Sequence, residues 1–147
     1  MKAKKTSVRK NAVPKTRNSS TMTESAFWSF IRSCLRQKSR YWKPIQEAKK
    51  LARRKSQSSN KKLKFEYQCA ECKGWFADKE IAVDHRIPAG ALNKADDLPE
   101  FVERLFSEVD NLQILCEAKC HPAKTIIDRE NIKISKQNNL NLETNEN

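Results

Sequence analysis

Short strands and helices that alternate around two close pairs of cysteines, behind a strongly basic helical stretch, predict a small α+β protein. Three observations carry that prediction. Cys69-x2-Cys72 and Cys116-x3-Cys120 have the two-knuckle layout of a metal ribbon. Around them, apolar residues recur with period two in some runs and at helical spacing in others. Charge also divides the chain. Residues 1–62 hold nineteen basic and two acidic side chains (+17), whereas residues 63–147 hold eleven basic and sixteen acidic (−5).

With 147 residues the chain has room for one compact core and an arm or tail. Apolar residues make up 37% and charged ones 33%, with two Gly, so part of the chain is expected to stay unpacked. There is no run of eighteen apolar residues, and the basic N-terminus lacks the apolar stretch of a secretory signal. A soluble, cytoplasmic chain with no membrane partner is expected. Its basic half is suited to a polyanion, for which double-stranded DNA is the expected partner through phosphate contacts and counterion release.

In chain order, residues 1–20 lack apolar periodicity and read as a disordered basic arm. The run TMTESAFWSFIRSCLRQKSRYW predicts an amphipathic helix capped by Thr21 or Thr23. Its apolar face is expected to hold Phe27, Phe30, Ile31 and Cys34, with Cys34 in the core. Arg32, Arg36 and Arg40 lie opposite, while Trp28, Tyr41 and Trp42 offer aromatic surface to the core or to DNA. Pro44 begins a second helix, IQEAKKLARRK, with Ile45, Ala48, Leu51 and Ala52 on one side and a basic opposite side. The expected DNA contacts are Arg32, Arg36, Arg40, Lys43, Arg53 and Arg54.

SQSSNKK, residues 56–62, reads as a linker, which gives a helical region over 21–62 and a second domain over 63–135. Phe65 and Tyr67 alternate in a short strand that runs into the Cys69 knuckle. IAVDHRIP predicts a strand ending at Pro88, and LPEFVERLFSE a short helix through Leu98, Val102 and Leu105 or Phe106. NLQILC predicts a strand and CHPAKTIIDRENI a helix, with residues 136–147 as a disordered Asn-rich tail.

Four thiolates from Cys69, Cys72, Cys116 and Cys120 make a tetrahedral set for Zn2+. Closed by protein ligands, such a site is structural, and binding free energy of about 10 kcal/mol or more becomes folding energy.

The chain has only two His, His85 and His121. His85 follows Asp84 at the end of a predicted strand, and His121 follows Cys120 at the start of a predicted helix. If the cysteine pairs share one ion, His121 is drawn toward Asp84 and His85. The runs Val83-Asp84-His85-Arg86-Ile87-Pro88, Asn111-Leu112-Gln113-Ile114-Leu115-Cys116 and Cys120-His121-Pro122-Ala123-Lys124-Thr125 together resemble the His-Asn-His (HNH) endonuclease family. The likeness covers about residues 67–125, and the helix FWSFIRSCLRQKSRYWKP is similar in character to the basic helices of small phage-encoded members.

The resemblance implies a ββα-metal (His-Me finger) core supported by a zinc ribbon. It implies that His85 is the general base, that Asp84 and His121 hold a catalytic Mg2+ or Mn2+, and that Asn111 tethers the loop that aims His85. Lys124 would steady the phosphate, and DNA cleavage would leave 5′-phosphate and 3′-hydroxyl ends. The chain departs from the family pattern in Cys116-x3-Cys120, where two intervening residues are usual. Two other readings stand beside the nuclease: a non-catalytic zinc-ribbon protein that binds nucleic acid, and a structural or assembly partner in a phage particle. Cleavage site, nick versus double-strand break, and oligomeric state, monomer included, stay open.

Overall fold

The computed structural model describes residues 12–145, with side chains as far as residue 138 except residue 136. The fold is mixed α+β, with four α-helices and three small antiparallel sheets among the described residues.

Strands β1 (Lys15–Arg17) and β2 (Met22–Thr23) form a hairpin, turned through Asn18, Ser19 and Ser20 at φ of 49°, 52° and 61°. The expectation of disorder is therefore corrected for residues 15–20, while residues 1–11 lie outside the described residues. Contacts made by one side chain account for the difference. Arg17 pairs with Glu24 at 2.7 Å and stacks over the Phe27 ring at 4.6 Å, fastening the hairpin to the next helix.

Thr23 caps helix α1 (Glu24–Ser39) by accepting the Ala26 N–H at 3.2 Å. The face that packs is rotated from the expected one. Trp28 is buried and Phe27, Ile31 and Leu35 pack around it, whereas Phe30 and Cys34 are exposed. Cys34 is thus not a core residue. Helix α2 (Lys43–Ala52) has Pro44 in its first turn and buries Ala48, but Leu51 is 78% exposed.

The chain leaves α2 directly into strand β3 (Arg53–Lys55), which pairs with β4 (Phe65–Gln68), which pairs in turn with β5 (Trp75–Phe76). Residues 56–62 are therefore the turn of a ribbon rather than a linker, and the helix expected to reach Lys55 ends at Ala52. Helix α2 packs on strands from beyond that turn.

Strand β6 (Ile81–His85) pairs antiparallel with β7 (Leu112–Cys116), from Ile81 opposite Cys116 to His85 opposite Leu112. Helix α3 (Leu98–Leu105) lies in the excursion between them, and α4 (Cys120–Asn145) follows β7. The backbone of residues 136–145 is helical, which corrects the expected disordered tail. All five residues of β7 are buried, in keeping with its unbroken LQILC run between packed neighbours.

Two cores result. An apolar one joins α1 to the excursion through Trp28, Ala89, Leu92, Phe101 and Leu105. A second surrounds the sulfurs of Cys69, Cys116 and Cys120 with Leu115, Ala70 and Phe76. Among the described residues, no helix is long and apolar enough to cross a membrane.

Candidate metal centre and the residues beside it

Cys69 directly follows β4, Cys116 ends β7 and Cys120 opens α4, so the sheets and the helix start bring thiols far apart in sequence together. The first knuckle closes through Cys69 N–H to Gly74 O at 2.9 Å and Lys73 N–H to Cys69 O at 3.1 Å. Lys73 takes φ of 59°, and a Cβ on Gly74 would meet the Phe76 ring at 2.9 Å, so that ring packs where it does because position 74 has no side chain. In the second knuckle the three residues between Cys116 and Cys120 form a turn, held by Glu117 N–H to Glu80 O at 2.9 Å.

The four sulfurs lie within 4.8 Å of one another, with Cys72 and Cys116 at 4.0 Å. Four thiolates tetrahedrally bound at about 2.3 Å would stand about 3.8 Å apart, so this set fits one ion. The longer spacer is absorbed by the turn and does not displace Cys120. Burial raises the Cys69 thiol, but N–H donors from Cys116, Cys72 and Glu71 outweigh it and bring it down to about 7. Burial and the neighbouring sulfurs push Cys120 up to about 12. Crowding against other sulfurs favours its neutral form until a cation shares the site.

The cysteines are the only group of three or more His, Cys, Asp or Glu among the described residues placed to share an ion. Asp84 and His85 are consecutive on β6 and point to opposite sides. Asp84 faces α4, where Lys124 Nζ meets its Oδ2 at 3.1 Å. His85 faces α3, with Nε2 3.1 Å from the Leu105 carbonyl oxygen. Asn111 accepts the Ile87 N–H at 2.9 Å and donates to the Ile87 carbonyl at 3.3 Å, and its own carbonyl accepts the Arg86 N–H at 2.8 Å. His121 is half-buried in the first turn of α4, and its carbonyl accepts the Thr125 hydroxyl at 2.9 Å.

No match to this chain was found among family models, curated proteins or solved structures.

Two residues beside the site were not anticipated. Asp128 holds Lys124 from the other side at 2.5 Å, and the pair has the i, i+4 spacing of a helical ion pair. Burial lowers the Lys124 pKa, but Asp128 and Asp84 outweigh it and raise it above the usual lysine value. Gln113, the one buried polar side chain among the described residues, sits opposite Asp84 and donates to its Oδ2 at 3.5 Å. Their register opposite one another on β6 and β7 was the available signal.

The six residues expected to touch DNA separate into distinct environments. Arg54 pairs with Glu66 at 3.1 Å and stacks on Trp75 at 3.9 Å. Arg36 lies over Phe101 at 5.6 Å, where burial and nearby Arg32 lower its pKa. Arg54 is thus half-buried and engaged within the protein. Arg36, Arg40, Lys43 and Arg53 are exposed, and Arg32 is half-buried.

Proposed function

We propose that this chain is a metal-dependent DNA endonuclease of the His-Asn-His type, with a ββα-metal core formed by β6, β7 and α4 and a structural Zn2+ on the four cysteines. The observation that carries the reading is the contact of Asp84 with Lys124, which joins the end of β6 to α4 beside His85. Strand, strand and helix thereby bring together residues forty positions apart.

A carbonyl oxygen can only accept, so the His85 Nε2 beside Leu105 O carries the ring proton and Nδ1 keeps its lone pair. Nδ1 is then the atom that takes a proton from water as its oxygen bonds to phosphorus and the P–O3′ bond breaks. Asn111, bonded to both sides of Ile87, fixes the turn immediately after His85.

Asp84 and His121 would supply an oxygen and a nitrogen donor to Mg2+ or Mn2+. When bound, such an ion stabilises charge on the phosphate and the departing oxygen. An ion held by Asp84 would displace Lys124 from it, and Asp128 would keep the ammonium beside the site.

Supercoiled plasmid incubated with Mg2+ or Mn2+ tests this directly. The wild-type protein should nick or linearise it, and His85→Ala should not. Intact plasmid with the wild type, or equal cutting by the variant, would overturn the reading. One observation favours a second reading, a zinc-ribbon protein that binds nucleic acid without cutting it: Lys124 already neutralises Asp84. That protein would bind DNA and leave it whole with either metal.

A further inference from the structure

We infer that the β3–β4 ribbon is a docking surface for double-stranded DNA, separate from the residues proposed to do chemistry. The two faces of the ribbon differ in charge. Arg54 and Glu66 are cross-strand partners on one face and neutralise each other. On the other face Arg53 and Lys55 stand opposite Tyr67 and Phe65, the turn adds Lys61 and Lys62, and Lys64 flanks it where β4 begins. Arg53, Lys55, Lys61, Lys62 and Lys64 are all exposed, and none pairs with a carboxylate among the described residues.

These cations sit on a built element. Ser58 N–H donates to Ser56 Oγ at 3.1 Å, Asn60 N–H to Ser58 Oγ at 3.2 Å and Lys62 N–H to Asn60 Oδ1 at 3.1 Å, one side chain ordering the next step of the turn. Glu66 anchors the turn through Ser56 Oγ at 3.2 Å and Gln57 N–H at 3.4 Å. Solvated lysines on a free linker would need no such scaffold. Ordering the turn in advance lowers the entropy lost on binding.

Arg53 lies over the Phe65 ring at 4.5 Å, and Phe65 is 37% exposed. One ring face is thereby taken, so Phe65 serves to aim a guanidinium and leaves its donor edge for phosphate. A two-stranded ribbon also fits the DNA major groove, about 12 Å wide. Phe65 lies four residues, about 13 Å of strand, from Cys69, so the cysteine cluster fixes the base of the ribbon while its turn projects away.

The choice of DNA rests on the proposed nuclease activity, but the surface is tested without cleavage. Fluorescence anisotropy of a labelled random-sequence duplex, without added Mg2+ or Mn2+, measures binding across a salt series. Lys61→Gln/Lys62→Gln/Lys64→Gln should weaken binding at least ~10-fold and flatten the log K against log salt slope by about 2.7, and arginines at the same positions should restore both. Phe65→Ala should weaken binding as Arg53→Gln does, and the double variant no further.

Lys119→Gln/Arg129→Gln/Lys133→Gln removes equal charge from exposed positions on α4 and the turn before it, and should change binding little. Equal losses from the two triple variants would mean that net charge alone acts, and would overturn the inference. So would unaltered binding by the ribbon variants, or a single strand bound as tightly as the duplex through Phe65 alone. A protein that binds through the ribbon yet never cuts would overturn the nuclease reading and leave this surface standing.

Discussion

Lys124 Nζ lies 3.1 Å from Asp84 Oδ2, so an ammonium on α4 stands at the carboxylate proposed to hold a divalent ion. Cation and lysine then compete for one oxygen. Lys124→Met should bind Mn2+ more tightly, by up to ~5-fold if this partly exposed pair contributes about 1 kcal/mol or less. Cleavage at saturating metal should still fall, because the ammonium no longer stands beside the phosphate. Calorimetric titration with Mn2+ measures the first effect, and unchanged affinity would show that Lys124 does not compete.

The cysteine cluster predicts a thiol count as well as a stability. With the ion bound, a thiol reagent should modify Cys34 alone, since the other four cysteines are ligands. After chelation it should modify all five. Loss of an ion whose binding supplies on the order of 10 kcal/mol of folding energy should abolish the cooperative thermal transition. Cys116→Ser should do the same and Cys34→Ser should leave melting unchanged. A chelated chain that still melts like the loaded one would show that the sulfur core stands without metal.

Glu66 gives the ribbon a defined acid limit. Burial raises its pKa, but bonds from Gln57 N–H, Arg54 and Ser56 outweigh it and hold the carboxyl below its ordinary value. A lowered folded pKa means that this contribution to stability is complete above the unfolded value of about 4.3 and is lost as pH falls through the folded one. The Gln57 amide should therefore lose protection, measured against its intrinsic exchange rate at each pH, as pH falls through the folded Glu66 value. Glu66→Gln should show fast exchange already at neutral pH and little further change in acid. A wild-type amide indifferent to acid would remove Glu66 from this role.

The features that could be read from the sequence depend on near neighbours. Thr23 as cap, the Cys69 knuckle, β6, α3 and β7 each follow from spacing within one short run. Helix α1 was legible as a helix but not in its rotation, because Phe27 and Ile31 fit two apolar stripes, one through Phe30 and Cys34 and one through Trp28 and Leu35. Phe101 in α3 packs in the core with Trp28, and that partner lies far along the chain.

SQSSNKK has the same composition as a linker or a turn. Pairing of Arg53 with Tyr67 makes it a turn, and strand pairing across fourteen residues leaves no local mark. The candidate site divides in the same way. The cysteine pairs and the His positions were visible, whereas Lys124 reaching Asp84 depends on the docking of α4. Arg54 reads as a free cation in the sequence because Glu66 and Trp75 meet it only after folding.

The last prediction follows the connection from Phe101 to His85. Phe101 is 1% exposed in the apolar core, on the same helix as Leu105, whose carbonyl accepts from His85. Phe101→Ala should cost about 3–5 kcal/mol and lower the melting temperature accordingly. As α3 loosens, His85 loses the acceptor that sets its tautomer, so cleavage should decline at temperatures where the ribbon still binds DNA and the cysteine cluster still holds its ion. Plasmid cleavage and duplex anisotropy measured on one variant across one temperature range separate the two. If both fall together along the global melting curve, α3 supports the whole body and has no particular hold on His85.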